Sequence, residues 1–535
     1  MVALGRRSSF VVRRSCFVAA GAWAAAAVLA APAAGAAPDD RAGCAPAKAP
    51  GGQWRSYGHD DSNTRSQPRE DLISAQNVAG LRAKWVFSVA DAGGEGDIAG
   101  TPVVRFGCVY VATSRGWVIA FNADTGEPVW ARDVPDRGFV YSSVGVTRKR
   151  VYVSVNRTTQ GLTGCPQDEP CLGPFVMALD RKTGKRDWVS RPIDTQRGSE
   201  TYASPVIVGG VVLVGVSGGV AELSADESLR ENFQGSLVFL NGRNGRIVEK
   251  TWTIHPPGDP DDDFSGAGVW GTPAIDRRAK LAYVGTANPY VPAAAHPHAG
   301  AVLKLDVNRR HKRRFGDILA FGEGTPEEYL EAFSDLPCID FPGNVPPYPT
   351  GLGSCFDLDL DFGASPNLFR GPDGRELVGA GQKSGVYHVF DAKTMEPVWN
   401  ATVGPPGYFG GIVGSTAYDG DAIYGPITIP GYLWSIDADG GSLRWVAPIL
   451  DVLHWGPPVA VANGVLYSVD WNGYLNAVDA ASGVVLLKAP LRVGEDGGFR
   501  GTPSWAGVSV ARHTVYAAVG TGGSDDGAVI AFGLG

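Results

Sequence analysis

From residue 118 onward the chain keeps returning to one pattern: a short apolar strand ending in Asp or Asn, a turn, and a second strand that often carries Trp. It reads VIAFNADTGEPVW at 118–130, VMALDRKTGKRDW at 176–188 and LVFLNGRNGRIVEKTW at 237–252. It returns as VLKLDVNRR at 302–310, YHVFDAKTMEPVW at 387–399, LWSIDADGGSLRW at 433–445 and LNAVDAASGVVLL at 475–487. Strand-length apolar runs bounded by Asp, Asn and Gly predict hairpins, not helices. Each copy follows another short β-rich run, such as CVYVATSRG or GVLYSVDWNG. Each unit then has about four strands per roughly 40–65 residues, the signature of a β-propeller.

The two ends of the chain complete the pattern. GAVIAFGLG closes the sequence with only the first half of the phrase, and LRAKWVFSV at 81–89 supplies a second half with its Trp. Pairing them makes an eighth unit and closes the ring, which removes the exposed edges of a linear array. The expectation is an all-β, eight-bladed propeller over 81–535, with seven blades as the alternative. An N-terminal extension occupies 37–80. Spacing widens only between Asp306 and Asp391, so a long insertion is expected at about 310–365. Inside it, TPEEYLEAF at 325–333 starts as a helix does, with a Thr cap, then Pro, then acids in the first turn.

The first residues are a separate object. Arg6, Arg7, Arg13 and Arg14 precede the apolar run FVAAGAWAAAAVLAAPAA, and Ala34-Gly35-Ala36 offers a cleavage site. Residues 1–36 therefore read as an export signal, and two Arg-Arg pairs permit the twin-arginine route. A secreted, periplasmic or cell-envelope location follows, with no membrane span after cleavage. Removing four Arg takes the formal charge from −8 to −12, leaving no basic patch for nucleic acid. Six Cys remain, an even number that suggests disulfides in an exported chain. Local pairing favours 165–171 and 338–355, leaving 44–108, although all 15 connectivities stay open. No Cys-x-x-Cys-His occurs for covalent haem and no Cys/His spacing suggests zinc.

One stretch of the insertion carries candidate chemistry. DLDLDFG at 357–363 alternates three acids with Leu358, Leu360 and Phe362, a strand-like period that would line the carboxylates on one face. Like charges so placed raise one another's pKa, which suits a proton acceptor.

Several motifs resemble the quinoprotein alcohol dehydrogenases, and the likeness is nearest to the polyvinyl-alcohol dehydrogenase branch. They are WRSYGHDDSNTRSQ…ISAQNVAGLRAKWVF (54–87), GAGVWGTPAIDRRAKLAYVGTANPY (266–290), DLDFGASP (359–366) and AGQKSGVYHVFD (380–391). That family is built on eight-bladed propellers binding pyrroloquinoline quinone (PQQ) and calcium. The resemblance implies that Trp270 stacks on the quinone, as a flat aromatic floor would. It implies calcium ligands at Asn288 and Glu222, with Glu227 a competitor for Glu222, since hard cations take oxygen donors. Lys383 would hydrogen-bond the quinone oxygens, Arg137 a PQQ carboxylate, and Trp455 would lie near the pocket. Asp361 becomes the general base and a metal ligand, and Asp359 a further ligand or the base itself.

In lanthanide-using members an extra Asp stands two residues past the base. Here that place is Gly363, which favours calcium if Asp361 is the base; if Asp359 were the base, Asp361 would be that ligand. The family's adjacent Cys pair and the branch's haem domain are missing, so a separate acceptor such as a cytochrome c would take the electrons. The expected activity is oxidation of primary and secondary alcohols, small or polymeric. The competing expectation is a non-catalytic propeller serving as an extracellular binding or assembly scaffold.

Overall fold

Each recurring phrase becomes the third and outer strands of a four-stranded antiparallel sheet, and the β-rich run before it supplies the inner two. The computed structural model describes residues 43–45, 51–135, 138–157, 173–222, 227–258, 264–290, 296–325, 360–406, 411–447, 457–491, 504–520 and 527–535. Met1–Arg41 separates from the rest as its own unit and, like the expected export signal, lies outside the described residues. Eight sheets form blades at 103–133, 145–189, 206–252, 274–323, 367–402, 417–446, 460–490, and a last one split between the two ends. In that eighth blade Ala528–Leu534 pairs antiparallel with Leu81–Ser88, Leu81 opposite Leu534 and Ser88 opposite Ala528. Eight blades, not seven, close the ring. Among the described residues no helix is long and apolar enough to cross a membrane.

Two details differ from expectation. The fourth blade has an outer strand at Ile318–Glu323, inside the stretch assigned to the insertion. The insertion expected from about residue 310 therefore opens only after that strand. The strand hid because it lacks Trp and follows the basic turn NRRHKRRFGD. Residues 326–359, with most of the helix expected at 325–333, lie outside the described residues. Further on, residues 360–366 form no strand; the next begins at Asn367. The alternation in DLDLDFG predicted a strand, but its described part, residues 360–363, is held instead by separate hydrogen bonds to the fourth and fifth blades.

The repeated phrase is explained by how blades pack. The Asp or Asn ending the third strand folds its side chain back on the turn: Asp180 Oδ1 accepts the N–H groups of Lys182 (3.1 Å) and Thr183 (3.0 Å). The Gly that follows seats the Trp of the previous blade. At Gly184, φ is 66° and a Cβ would lie 2.6 Å from the Trp130 indole, whose Nε1 donates to Arg181 O at 3.0 Å. Trp85, Trp188, Trp399 and Trp445 meet Gly126, Gly245, Gly441 and Gly483 in the same way. A second set of links crosses between blades deeper in: Tyr152, Tyr283 and Tyr516 donate to Gly242 O, Ala392 O and Ala123 O of the following blade. The Tyr467 hydroxyl is buried without such a partner. The next blade has no turn there, because its outer strands come from opposite ends of the chain.

The N-terminal extension runs across the inner strands. Its carbonyls at Asp61, Ser62, Thr64 and Arg65 accept N–H groups from Ile275, Leu368, Tyr418 and Val461, one in each of four successive blades. Ser66–Gln67 adds a parallel strand to the seventh blade. Fully buried Arg65 donates to carbonyls of Tyr57, Val459 and Val508, and burial pulls its pKa down to about 10. Cys44 forms a disulfide with Cys108 of the first blade, Cα atoms 5.1 Å apart. The other five Cys of the sequence lie outside the described residues.

Gly184→Ala combines an unfavourable φ with a methyl driven into Trp130, a cost of about 2–4 kcal/mol. Its denaturant midpoint should fall clearly. Gly464→Ala, with φ 75° but nothing within 4 Å of the added Cβ, should fall much less.

Candidate active site

Three neighbouring blades bring their connecting loops together at one end of the ring. The loop before the fourth blade's inner strand is tied to the third blade and to its own: Val269 N–H donates to Val216 O, and Ala267 N–H to Asn288 O. Gly268 packs so close to Ser217 that a Cβ would lie 2.5 Å from its Oγ. With Val269 drawn into the core, Trp270 is left half-buried on the open side. Gly363 lies edge-on to that indole, and any Cβ there would overlap the ring.

Asp361 enters from the loop before the fifth blade. Phe362 N–H donates to Thr286 O at 3.1 Å, and Lys383 N–H to Asp361 O at 3.0 Å, fixing its backbone between blades four and five. The Asp361 side chain is buried. Its Oδ1 accepts the Asn288 N–H at 2.6 Å and its Oδ2 lies 3.2 Å from Lys383 Nζ. Lys383 is itself buried, with Nζ 5.4 Å from the Trp270 ring centroid. The neighbours of Asp361 among the described residues are thus a cation and a backbone donor. The like-charge crowding expected from DLDLDFG concerns Asp357 and Asp359, which lie outside the described residues.

Asn288, half-buried, turns a side-chain oxygen inward that is buried and has no hydrogen-bond partner. Glu222 ends a four-residue helix, α1 (Gly219–Glu222), that follows the third blade's second strand; a second helix, α2 (Glu227–Asn232), comes next. Among the candidates, Trp270, Asn288, Asp361 and Lys383 come together around one another by direct contact, while Glu222 stands on α1 after the third blade's second strand. The Arg137 and Trp455 positions lie outside the described residues. The Asn288 amide oxygen and the Asp361 carboxylate beside it are hard oxygen donors of the kind calcium takes. The exposed side of Trp270, beside an ammonium, suits a flat anionic quinone.

Sequence reading missed Gln382. Its Nε2 donates to Leu360 O at 2.8 Å and its Oε1 accepts the Thr325 N–H at 2.9 Å. One amide therefore fastens both ends of the excursion, next to Asp361. His388 Nε2 stands 3.0 Å from Gln382 Oε1 and 3.0 Å from Thr325 Oγ1, and burial pulls the imidazole down to about 4. Also missed was Tyr202, whose hydroxyl donates to Glu200 and whose ring stacks on Tyr141 at 6.0 Å. GQKSG gave no signal for Gln382, because its two partners are far apart in sequence from one another.

The chain as a whole is similar to several known proteins. The sequence profile of the family described as "Glucose/ethanol/alcohol dehydrogenase, beta-propeller domain", a PQQ family, matches residues 54–296. The polyvinylalcohol dehydrogenase of a Pseudomonas sp is 26% identical over 89% of this chain and 75% of its own. That of Sphingopyxis sp. strain 113P3 is 24% identical over 88% and 73%. The crystal structure of quinohemoprotein alcohol dehydrogenase from Comamonas testosteroni superposes with a TM-score of 0.66 at 18% identity, covering 91% of this chain and 81% of that one. At that identity it speaks for the fold alone.

Lys383→Met strands a buried carboxylate and should cost about 3–5 kcal/mol in denaturant unfolding. Asp361→Asn/Lys383→Met, which keeps an acceptor for the Asn288 N–H, should recover most of that loss. His388 predicts an acid limb. The unfolded imidazole takes its proton near pH 6.5 and the folded one only near 4, so stability is full above 6.5 and falls as pH drops through that window. The loss is about 3 kcal/mol by linkage. His388→Gln should flatten that part of a stability–pH curve.

Proposed function

Because the chain belongs to the PQQ-dependent dehydrogenase family, we propose that it is an exported alcohol dehydrogenase using PQQ and calcium. The observation that carries the reading is the buried Asp361–Lys383 pair set against Trp270, beside an Asn288 oxygen without a partner. A scaffold has no need of a buried ion pair facing an open indole, and such a pair is costly to keep unless it works.

In this reading Trp270 is the floor on which the quinone lies. Gly363 keeps that floor flat, and an acid there would have to displace the indole, which favours calcium over a lanthanide with Asp361 as the base. Asn288, Glu222 and Asp361 hold the cation, with Asp359 a further ligand. When bound, PQQ supplies the hydride acceptor and calcium the Lewis acid. Asp361 takes the hydroxyl proton of a primary or secondary alcohol. Lys383 has three donors, so it can balance the Asp361 charge and still donate toward the bound quinone. Arg137 and Trp455 are assigned to the same cofactor, the first by bidentate pairing with a carboxylate. Electrons are assigned to a separate acceptor such as a cytochrome c.

Reconstitution with PQQ and calcium, followed by dye-linked oxidation of small alcohols and polyvinyl alcohol, tests the proposal. The expected result is turnover that needs both additions. Absence of PQQ binding by absorbance or thermal shift would leave the scaffold reading. Asp361→Asn should lower kcat by about 10²–10⁴-fold, the usual worth of a general base. Trp270→Ala should instead weaken PQQ binding first.

A further inference from the structure

We propose that the face of the ring opposite the site, over blades two to four, is a docking surface for an anionic phospholipid membrane. The attraction is electrostatic, and the protein seated on it keeps its site open to solution. The inference uses no cofactor, so it stands or falls apart from the reading above.

Topology places the turns. In every blade the loops before the first strand and between the second and third strands lie at the end where the site gathers. The turns between strands one and two, and between strands three and four, therefore lie at the other end. A strand of six residues spans about 20 Å, so that end stands well away from Trp270 and Asp361.

Charge is unevenly spread over this far face. The turns of blade two read TRKR (147–150) and DRKTGKR (180–186), and blade three adds NGRNGR (241–246). Blade four adds DRRAK (276–280) and NRRHKRR (308–314). Blades five to seven carry DAKTME (391–396), DGDA (419–422), DADGGS (437–442) and DAASG (479–483) at the matching places. A chain of formal charge −8 thus makes one sector of one face strongly positive. Net charge, from which no basic patch was expected, conceals it.

The basic turns form one sector. Arg181 Nε donates to Arg148 O at 3.0 Å, joining the two turns of blade two. Tyr152 donates to Gly242 O in the turn of blade three, and Arg277 reaches back from blade four to Ile207 O at 3.1 Å. Val307 N–H donates to Lys280 O at 2.9 Å, bringing together the two turns of blade four. The acids within these turns are already occupied. Asp180 and Asp276 accept N–H groups of their own turns, Asp187 pairs with Arg150, and Asp306 lies against His311 and Arg314. Arg309, Arg310, Lys312 and Arg313 are exposed and make no ion pair with a described residue. Farther in, burial pulls the Arg105 pKa down; Arg55, Arg277 and Arg181 add to that while Asp61 opposes it, as a field of one sign does.

A wide anionic surface fits this sector. A protein partner calls for an apolar or aromatic centre, and none of the exposed large apolar side chains lies in these turns. A nucleic acid strand calls for aromatic side chains that stack on bases, and the five turns hold no Phe, Tyr or Trp. Loop tips of Lys and Arg spread over three blades match a sheet of headgroup phosphates. There each basic residue near the surface is worth about fivefold in binding. The same surface repels the acidic turns of blades five to seven, so the ring rests on one sector and tilts away at the other.

The test uses the mature protein, freed of residues 1–36, whose Arg pairs and apolar run would bind membranes by themselves. It is sedimented with vesicles of phosphatidylcholine, alone or with about a third phosphatidylglycerol, at about 0.1 M and about 1 M salt, across which the Debye length falls from about 10 to about 3 Å. Wild type should bind the anionic vesicles only, and only at the lower salt. Arg309→Gln/Lys312→Gln/Arg313→Gln should bind them about 100-fold more weakly, with melting temperature and dye-linked turnover unchanged. Arg148→Gln/Lys149→Gln/Lys182→Gln in blade two repeats the test should the first variant melt lower. Arg69→Gln/Arg82→Gln/Lys84→Gln makes the same charge change at exposed positions beside blades seven and eight, and should lose less than about threefold. The proposal is overturned if wild type ignores the anionic vesicles, binds neutral ones as well, or stays bound at the higher salt. It is overturned too if the variants of the basic sector lose no more than the one across the ring, since net charge alone would then explain the binding. Retention by DNA or by an acidic protein without vesicle binding overturns it as well and assigns the sector to that partner.

Discussion

Ring closure is the constraint on which everything else depends. Eight twisted sheets set side by side leave two open edges, and an open edge invites pairing with other chains. Here the last strand of the chain lies antiparallel to Leu81–Ser88, so the final blade is built from both ends. That pairing fixes the position of each blade relative to the next, and with it the distances between loops that come from different blades. It also leaves a mark. The seam has no outer turn, and Tyr467 of the preceding blade is buried without the carbonyl its counterparts find.

Around the rest of the ring, the wedge between blades is filled by a tryptophan seated on a glycine. An indole supplies a large flat area, and only a residue without a side chain, at positive φ, lets it approach the neighbouring turn. Where the sequence breaks this rule the packing changes. Gly316 faces Glu249 and Thr251, and Met395, at φ 65°, stands where other turns have glycine. These exceptions flank the fourth blade, the one from which Trp270 and Asn288 enter the site and after which the excursion leaves. The extension that threads four inner strands with its carbonyls steadies that part of the ring.

The site shows how a rigid scaffold supplies position while loops supply chemistry. Asp361 is held by a backbone donor from one blade and an ammonium from another. Gln382 pins both ends of the excursion beside it. Glycine at 363 and 268 is there because an indole and a serine occupy the space a side chain would need. A buried pair, an unpaired amide oxygen and an open aromatic face are expensive in a folded protein, and they are gathered in one place.

Read alone, the sequence determined the architecture. A phrase repeated seven times, with halves at the two ends, pointed to a ring of eight over seven, because period, turn residues and tryptophan all recur locally along the chain. It also picked out Trp270, Asn288, Asp361 and Lys383 as candidates, since they stand in short distinctive motifs. It mistook the end of DLDLDFG, residues 360–363, for a strand, because alternation records which side chains are apolar, not whether a neighbouring strand is there to pair. It overlooked the fourth blade's outer strand and Gln382. Only the tertiary structure decided that Asp361 meets a lysine and that one amide ties Thr325 to Leu360. Those facts depend on contacts between blades, and no local pattern of residues encodes a distance across a ring.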